Sequence, residues 1–299
     1  MDFGKSMIDN LLDSQTVLLL GNGINRYTTK KYNLPEDFSW NGILLSLLNE
    51  NGLLYQSIPK MFPFTEVFEI IKSSKEIDDK KLKQQFVRKL KNLKTSEVHK
   101  KIIDLCSNKH IDILTTNFDL SLEATYNFVR RSEISRKKNF SRWYPWSVYY
   151  TSQEDARTYP RIFHIQGDIN YNDSVRLTVK DYIHSFNHFN KYKPNNDKSL
   201  YNKVYTWVNI FFEKQLLIVG LSLDEQEFFL RQLLYLKKQL AKDSTEKIGT
   251  YIICKEDTEL FDGQGIETSK MKRLRFFADS LRLDLEEYDT FENIYSRFE

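Results

Sequence analysis

Four short apolar runs constrain the fold more than any other feature of the chain. They are TVLLL (Thr16–Leu20), IDILTT (residues 111–116), LLIVG (residues 216–220) and GTYIIC (Gly249–Cys254). Each is continuous rather than alternating, the pattern of a strand covered on both faces. RIFHI (residues 161–165) is a fifth run of this kind. Helical patterns lie between them. In KKLKQQFVRKLKNLK, Leu82, Phe86, Leu90 and Leu93 recur at helical spacing, with basic residues on the other side that read as a solvated helix face rather than a nucleic-acid patch. In SLDEQEFFLRQLLYLKKQL, Ser222 stands three residues ahead of Glu225, a capping-box spacing that predicts a helix directly after LLIVG. Strand then helix, repeated, predicts an α/β fold: a Rossmann-like parallel sheet with helices on both faces and right-handed crossovers. Residues 49–107 read as an inserted helical module. The Rossmann-like core then comprises residues 1–48 and 108–299 of a single domain.

Composition excludes several alternatives. The 44 Lys and Arg against 41 Asp and Glu leave a net charge of +3, which makes no case for nucleic acid as the main partner. The two cysteines, Cys106 and Cys254, exclude a Cys-only zinc site and a disulfide framework, and suit a reducing compartment. No apolar run approaches the roughly 20 residues that span a bilayer. The opening MDFGKSMIDNLLDSQ is too polar for a secretory signal, so a cytoplasmic protein is expected.

Four polar clusters fall at the ends of these strands. In LLLGNGINR, Gly21 and Gly23 would let backbone approach a phosphate, with Asn25 and Arg26 adding hydrogen bonds. A turn that needs glycine for backbone reasons alone explains them equally well. In ILTTNFD, Thr115, Thr116, Asn117 and Asp119 gather where open α/β sheets bind ligands. They also suit plain capping of a helix in LSLEATYNFVRR. RIFHIQGDIN places His164 and Gln166 on one face if the strand runs through both. In IVGLSLDE, Gly220 and Ser222 repeat the strand–glycine–hydroxyl pattern, and Ser222 either binds phosphate or ribose or caps its helix.

Taken in this order, the four clusters resemble those of bacterial SIR2-like, sirtuin-related proteins, of the group associated with NAD+ hydrolysis in anti-phage defence. GNGINR followed by FSWNGILLSLL is similar to that family's G-A-G-[IA]-S and its downstream tryptophan, with Asn22 for Ala and Asn25 for Ser. TTNFD resembles T-Q-N-x-D, with Thr116 in place of Gln, and HIQGDI resembles H-[IL]-H-G-[SD]-[IL]. VRLTVKDYI is similar to the segment that follows, and VGLSLDE resembles G-x-S-x-D/E. The resemblance implies that NAD is the substrate and that no metal is required. Gly21, Asn22, Gly23, Ile24, Asn25 and Arg26 would form the pyrophosphate loop. Asn117 and Asp119 would sit by the nicotinamide and its ribose as catalytic residues, Asn117 orienting water and Asp119 holding the nicotinamide; Thr116 would be among the cofactor-binding residues, with Gly220 and Ser222 on the adenosine side. The four-cysteine zinc ribbon of protein deacetylases is absent, which argues against that activity.

The catalytic base would be the second His of H-x-H-G, and here that residue is Gln166. A carboxamide does not titrate near neutral pH, so it orients but does not accept the proton as imidazole does. The sequence therefore implies dinucleotide binding with crippled turnover. Gln166 is compatible with an inactivating substitution, with natural loss of activity, or with transfer of the role to His164, which as a lone His on an apolar strand reads more simply as structural. A non-catalytic NAD or ADP-ribose sensor is a second reading. The resemblance also suggests a homo-oligomer and a second defence protein such as a nucleic-acid motor. His184 and His188 stand four apart, with no third ligand evident. The basic RRSEISRKK reads as a solvated loop, and the aromatic KKNFSRWYPWSVYY as a segment packed over something.

Overall fold

The computed structural model describes residues 11–34, 38–59, 62–132, 147–153, 158–190, 194, 205–223, 227–241, 245–257 and 260–298. Eight strands form one sheet: β1 (Thr16–Leu20), β2 (Ile113–Thr115), β3 (Val129–Ser132), β4 (Val148–Thr151), β5 (Ile162–His164), β6 (Gln215–Val219), β7 (Gly249–Cys254) and β8 (Leu283–Tyr288). Their order is β3-β4-β5-β2-β1-β6-β7-β8. The six strands from β5 to β8 pair in parallel. β4 and β3 extend the β5 edge antiparallel. The parallel six have the 3-2-1-4-5-6 order of the doubly wound, Rossmann-like fold, whose switch point lies between the first and fourth strands. Here those strands are β1 and β6.

Ten helices are described: α1 (Gly23–Lys31), α2 (Trp40–Glu50), α3 (Phe64–Lys75), α4 (Asp79–Leu90), α5 (Glu97–Lys109), α6 (Val179–Phe189), α7 (Trp207–Glu213), α8 (Phe228–Leu240), α9 (Ser269–Leu281) and α10 (Phe291–Tyr295). Alternate residues of β1 feed opposite faces of the sheet, as the period of two requires. Val17 and Leu19 pack with Trp207, Phe211, Phe229 and Phe277 from α7, α8 and α9. Leu18 and Leu20 pack with Ile24, Ile102, Ile103 and Tyr295 from α1, α5 and α10. Full burial of such a side chain stabilises the fold by about 1.5–3 kcal/mol. A third cluster joins α2, α3 and α4 to Phe118, Val175 and Leu177. Its ring stack, Trp40 on Phe64 at 5.2 Å and on Phe86 at 5.7 Å, sits beside the strand ends.

The five strands expected from apolar runs are all present. β8 and the antiparallel pair β3 and β4 are additional; β3 is partly exposed, β4 is mostly buried, and LDLEEY is fully buried only at its two ends. Three expectations are corrected. No helix starts at Ser222; α8 begins at Phe228 with Glu227 at its N-cap. Leu223 is fully buried with φ +46°, which a right-handed helix does not accommodate, and Arg231 Nη1 donates to its carbonyl at 3.0 Å. Glu225 lies outside the described residues. LSLEATYNFVRR forms a 3₁₀ turn (Glu123–Thr125) and then β3, not a helix. The basic side of α4 is not wholly solvated: Lys83 is buried and pairs with Asp181 at 2.7 Å. Arg130, Arg131 and Ser132 belong to β3, and residues 133–146, the rest of the basic loop and most of the aromatic stretch, lie outside the described residues. No helix among the described residues is long and apolar enough to cross a membrane.

Candidate functional site

A cavity of about 640 Å³ opens at the carboxyl ends of β1, β2, β5 and β6, over the switch point. The glycine loop after β1 forms its floor. Gly21 N–H donates to Val219 O and Gly23 N–H to Gly220 O, at 2.9 and 2.8 Å. A Cβ on Gly21 would lie 2.5 Å from Gly220 O, and one on Gly23 would lie 2.5 Å from Gly220 Cα. The glycines therefore let the β1 and β6 loops cross in contact, and the backbone explanation of G-x-G holds. The same crossing presents the start of α1 to the cavity. Asn22, Gly23 and Arg26 line it, with Arg26 exposed. The backbone N–H groups of Ile24 and Asn25 meet no acceptor among the described residues. Open N–H groups at the positive end of a helix dipole attract an anion. The Ile24 side chain points the other way, into the core.

Asn25 does not face the cavity; it is buried and organises the loop from behind. Ser96 N–H donates to His99 Nδ1 at 3.1 Å, which places the ring proton on Nε2. His99 Nε2–H then donates to Asn25 Oδ1 at 3.3 Å. The Asn25 amide donates in turn to Asn22 Oδ1 at 2.9 Å and to Asp119 Oδ2 at 2.7 Å. Asn22 closes the chain by donating to Phe38 O at 3.0 Å, just ahead of α2. Burial, only partly opposed by the Asp119 charge, lowers the His99 pKa to about 4 and keeps the ring neutral. This relay ties α5, the glycine loop, the β2 loop and the entry to α2 into one unit.

At the end of β2, Thr116 lines the cavity, whereas Asn117 and Asp119 lie behind it. Asn117 Nδ2 donates to Gly21 O at 3.3 Å, and its Oδ1 is buried with no hydrogen-bond partner among the described residues. Asp119 accepts from Asn25 and, at 3.0 Å, from Ser121 N–H. The 3₁₀ turn that follows has Leu122 at its N-cap and no side-chain cap, so helix capping does not account for this cluster.

His164 and Gln166 diverge, because β5 ends at His164 and Gln166 belongs to the turn after it. Gly167 makes that turn at φ +94°, where a Cβ would lie 2.2 Å from Ser174 O. His164 is buried, and both its ring nitrogens face acceptors: Asn117 O and Glu123 Oε1, each at 2.7 Å. Burial opposes the charge, but Glu123 overrides it and raises the pKa to about 9, so His164 is a cation paired with Glu123 and does not line the cavity. Gln166 does line it. Tyr182 Oη, from α6, donates to Gln166 Oε1 at 3.0 Å, and Nε2 has no partner among the described residues. Arg176 N–H donates to Gln166 O at 3.1 Å, and Asp181 holds α6 in place through its capping box with Thr178 and its pair with Lys83.

On the β6 side, Gly220 (φ +70°), Leu221 and an exposed Ser222 form the wall. Glu227 follows, and Thr268, Lys270 and Arg273 at the start of α9 complete it. The Lys270 and Arg273 positions escape sequence reading, since SKMKRLRFF is an ordinary amphipathic helix pattern. The structure thus brings Asn22, Gly23, Arg26, Thr116, Gln166, Gly220 and Ser222 onto one cavity, with Gly21, Ile24, Asn25, Asn117 and Asp119 in the layer beneath. His184 and His188 approach each other, Nε2 to Nε2 at 3.0 Å. No group of three or more His, Cys, Asp or Glu suited to a metal ion occurs among the described residues.

Sheet order, crossed glycine loops and a cleft at the switch point define a Rossmann-like α/β protein with a cavity at its strand ends. The family model for the SIR2-like domain matches residues 112–276, more than half of the 299, and the chain belongs to this family. Comparison with curated proteins gives no match.

Proposed function

We propose that the protein is an NAD+ glycohydrolase scaffold of the anti-phage defence type, built to cleave NAD+ to nicotinamide and ADP-ribose, with turnover crippled by Gln166. The observation that carries this reading is the convergence of four strand ends on one cavity at the switch point, with open α1 N–H groups and Arg26 on one wall and Gln166 on another. The α1 terminus and Arg26 suit a pyrophosphate. Asn117, whose buried Oδ1 lacks a partner, would orient water or a ribose hydroxyl. Asp119 is engaged with Asn25, and we assign it to holding the glycine loop in place beside the nicotinamide end. Scission at the ribose C1′ creates an oxocarbenium-like centre, and the attacking oxygen must lose a proton. Gln166 occupies the slot of the H-x-H-G base. With its carbonyl used by Tyr182, it offers the cavity N–H donors rather than a base.

The same Tyr182 bond favours a second reading, a non-catalytic sensor of NAD+ or ADP-ribose, because the amide is fitted into the site. Nicotinamide release by Gln166→His separates the two: turnover supports the hydrolase, and tight binding without turnover supports the sensor. Cytoplasmic location, a homo-oligomer and a nucleic-acid motor as partner extend the hydrolase reading. Sizing of the native protein and co-purification test the last two.

A further inference from the structure

His164 stands outside the cavity, yet it reaches the layer beneath the cavity through Asn117. As a cation it donates from both ring nitrogens. Nε2–H goes to Glu123 Oε1 and Nδ1–H to Asn117 O, each at 2.7 Å. Three further bonds converge on the same short segment. Asn117 N–H donates to Thr115 Oγ1 at 3.1 Å, Thr115 Oγ1 donates to Leu20 O at 3.0 Å, and Asn117 Nδ2 donates to Gly21 O at 3.3 Å. The imidazolium thus holds by its carbonyl the residue whose side chain spans to the glycine loop and keeps a buried, unpartnered Oδ1. Among the described residues, the titratable groups that face the ring are Glu123 from the 3₁₀ turn, Asp168 from the loop after β5, and Tyr150 from β4, whose ring meets the imidazole edge-on at 5.6 Å. Both carboxylates favour the cation, and burial pushes the Tyr150 hydroxyl pKa up, so that it adds no charge.

A neutral imidazole has a single N–H. A carboxylate holds that proton more strongly than a peptide carbonyl does, so the neutral ring would keep Glu123 and release Asn117 O. We infer that His164 is a positioning residue for the ligand site: donating from both nitrogens, it holds Asn117 where the side chain spans to Gly21 and offers Oδ1 to a ribose hydroxyl. This rests on the dinucleotide reading, which supplies that hydroxyl.

Calorimetry with ADP-ribose on the full chain, from about pH 7 to about pH 10, tests this, with circular dichroism at each pH to show that the protein is folded. ADP-ribose has no group that titrates near pH 9. Affinity should hold while His164 is charged, then fall by up to about 10-fold as pH climbs through its pKa of about 9, the usual worth of a charge-assisted hydrogen bond. Glu123→Gln removes the main charge that keeps the ring a cation, and should bind at about pH 7 as weakly as the native chain does at about pH 10. A ring that only filled space would give neither result, and the native profile decides by itself if the variant fails to fold. Affinity that stays level to about pH 10 in the folded protein, or a Glu123→Gln profile that matches the native one, overturns this inference alone. Failure of ADP-ribose to bind at any pH overturns the dinucleotide reading and this inference with it.

Discussion

Replacing Gln166 by His tests the central chemical claim. The side chain is 5% exposed and fixed by Tyr182 Oη at 3.0 Å, so an imidazole of similar size enters a slot that is already shaped. The tyrosine hydroxyl, which now donates to the amide carbonyl, would turn to accept from one ring N–H. The other ring nitrogen is then left facing the cavity as a base. General-base catalysis is worth about 10²- to 10⁴-fold, or about 3–5 kcal/mol of barrier. No imidazole lines the native cavity; its histidine neighbour, His164, is charged and committed to Glu123. The expected result is a rise in nicotinamide release from NAD+ of at least about 100-fold, measured by chromatography. Adding Tyr182→Phe to the His form should remove part of the gain, because the tautomer is no longer set. A His form that binds ADP-ribose normally yet releases nicotinamide within about threefold of the native rate would refute the assignment of the base.

Other expectations follow from the same geometry. The folded-state pKa of His164 is raised from 6.5 to about 9, so its contribution to stability is complete below about pH 6.5 and is lost as pH climbs through 9. Thermal melts between pH 6.5 and 9.5 should show that decline, and Glu123→Gln should flatten it. Asn25→Ala leaves His99 Nε2–H and Asp119 Oδ2 without their partner, at about 1–3 kcal/mol for each unmatched group. Urea unfolding should show the loss, and ADP-ribose affinity should fall with it as the glycine loop loosens. Gly220→Ala places a Cβ 2.9 Å from Tyr295 Oη at φ +70°, a conformation that alone costs about 1–2 kcal/mol. A shifted unfolding midpoint and weakened ligand binding are expected together, because the β1 and β6 loops must separate.

The continuous apolar runs located β1, β2, β5, β6 and β7, because a strand covered on both faces has no polar positions to disguise it. β8 escaped notice because LDLEEY is acidic and partly solvated, and β3 because VRRS carries two arginines. Short-range rules failed where distant contacts intervened. Ser222 and Glu225 have the spacing of a capping box, yet a fully buried Leu223 in a left-handed conformation keeps a helix from starting at Ser222. His164 and Gln166 are two residues apart and would share a face of one strand. The strand stops between them, one becomes a buried ion pair, and the other reaches the cavity.

What the chain determined by itself was five of the eight strands, the polar groups at their ends, and the amide at position 166. Those are properties of neighbouring residues: hydrophobic continuity, hydrogen-bonding capacity and titration chemistry. Which of those groups face the cavity was decided only in three dimensions. Asn25 and Asp119 turned inward because His99, 74 residues beyond Asn25, supplies the proton that fixes the amide. Lys270 and Arg273 joined the site because α9 follows β7, the parallel neighbour of β6, which brings the start of α9 beside the β6 loop. Contacts between residues so far apart in the chain follow from strand order and packing, and no local pattern encodes either.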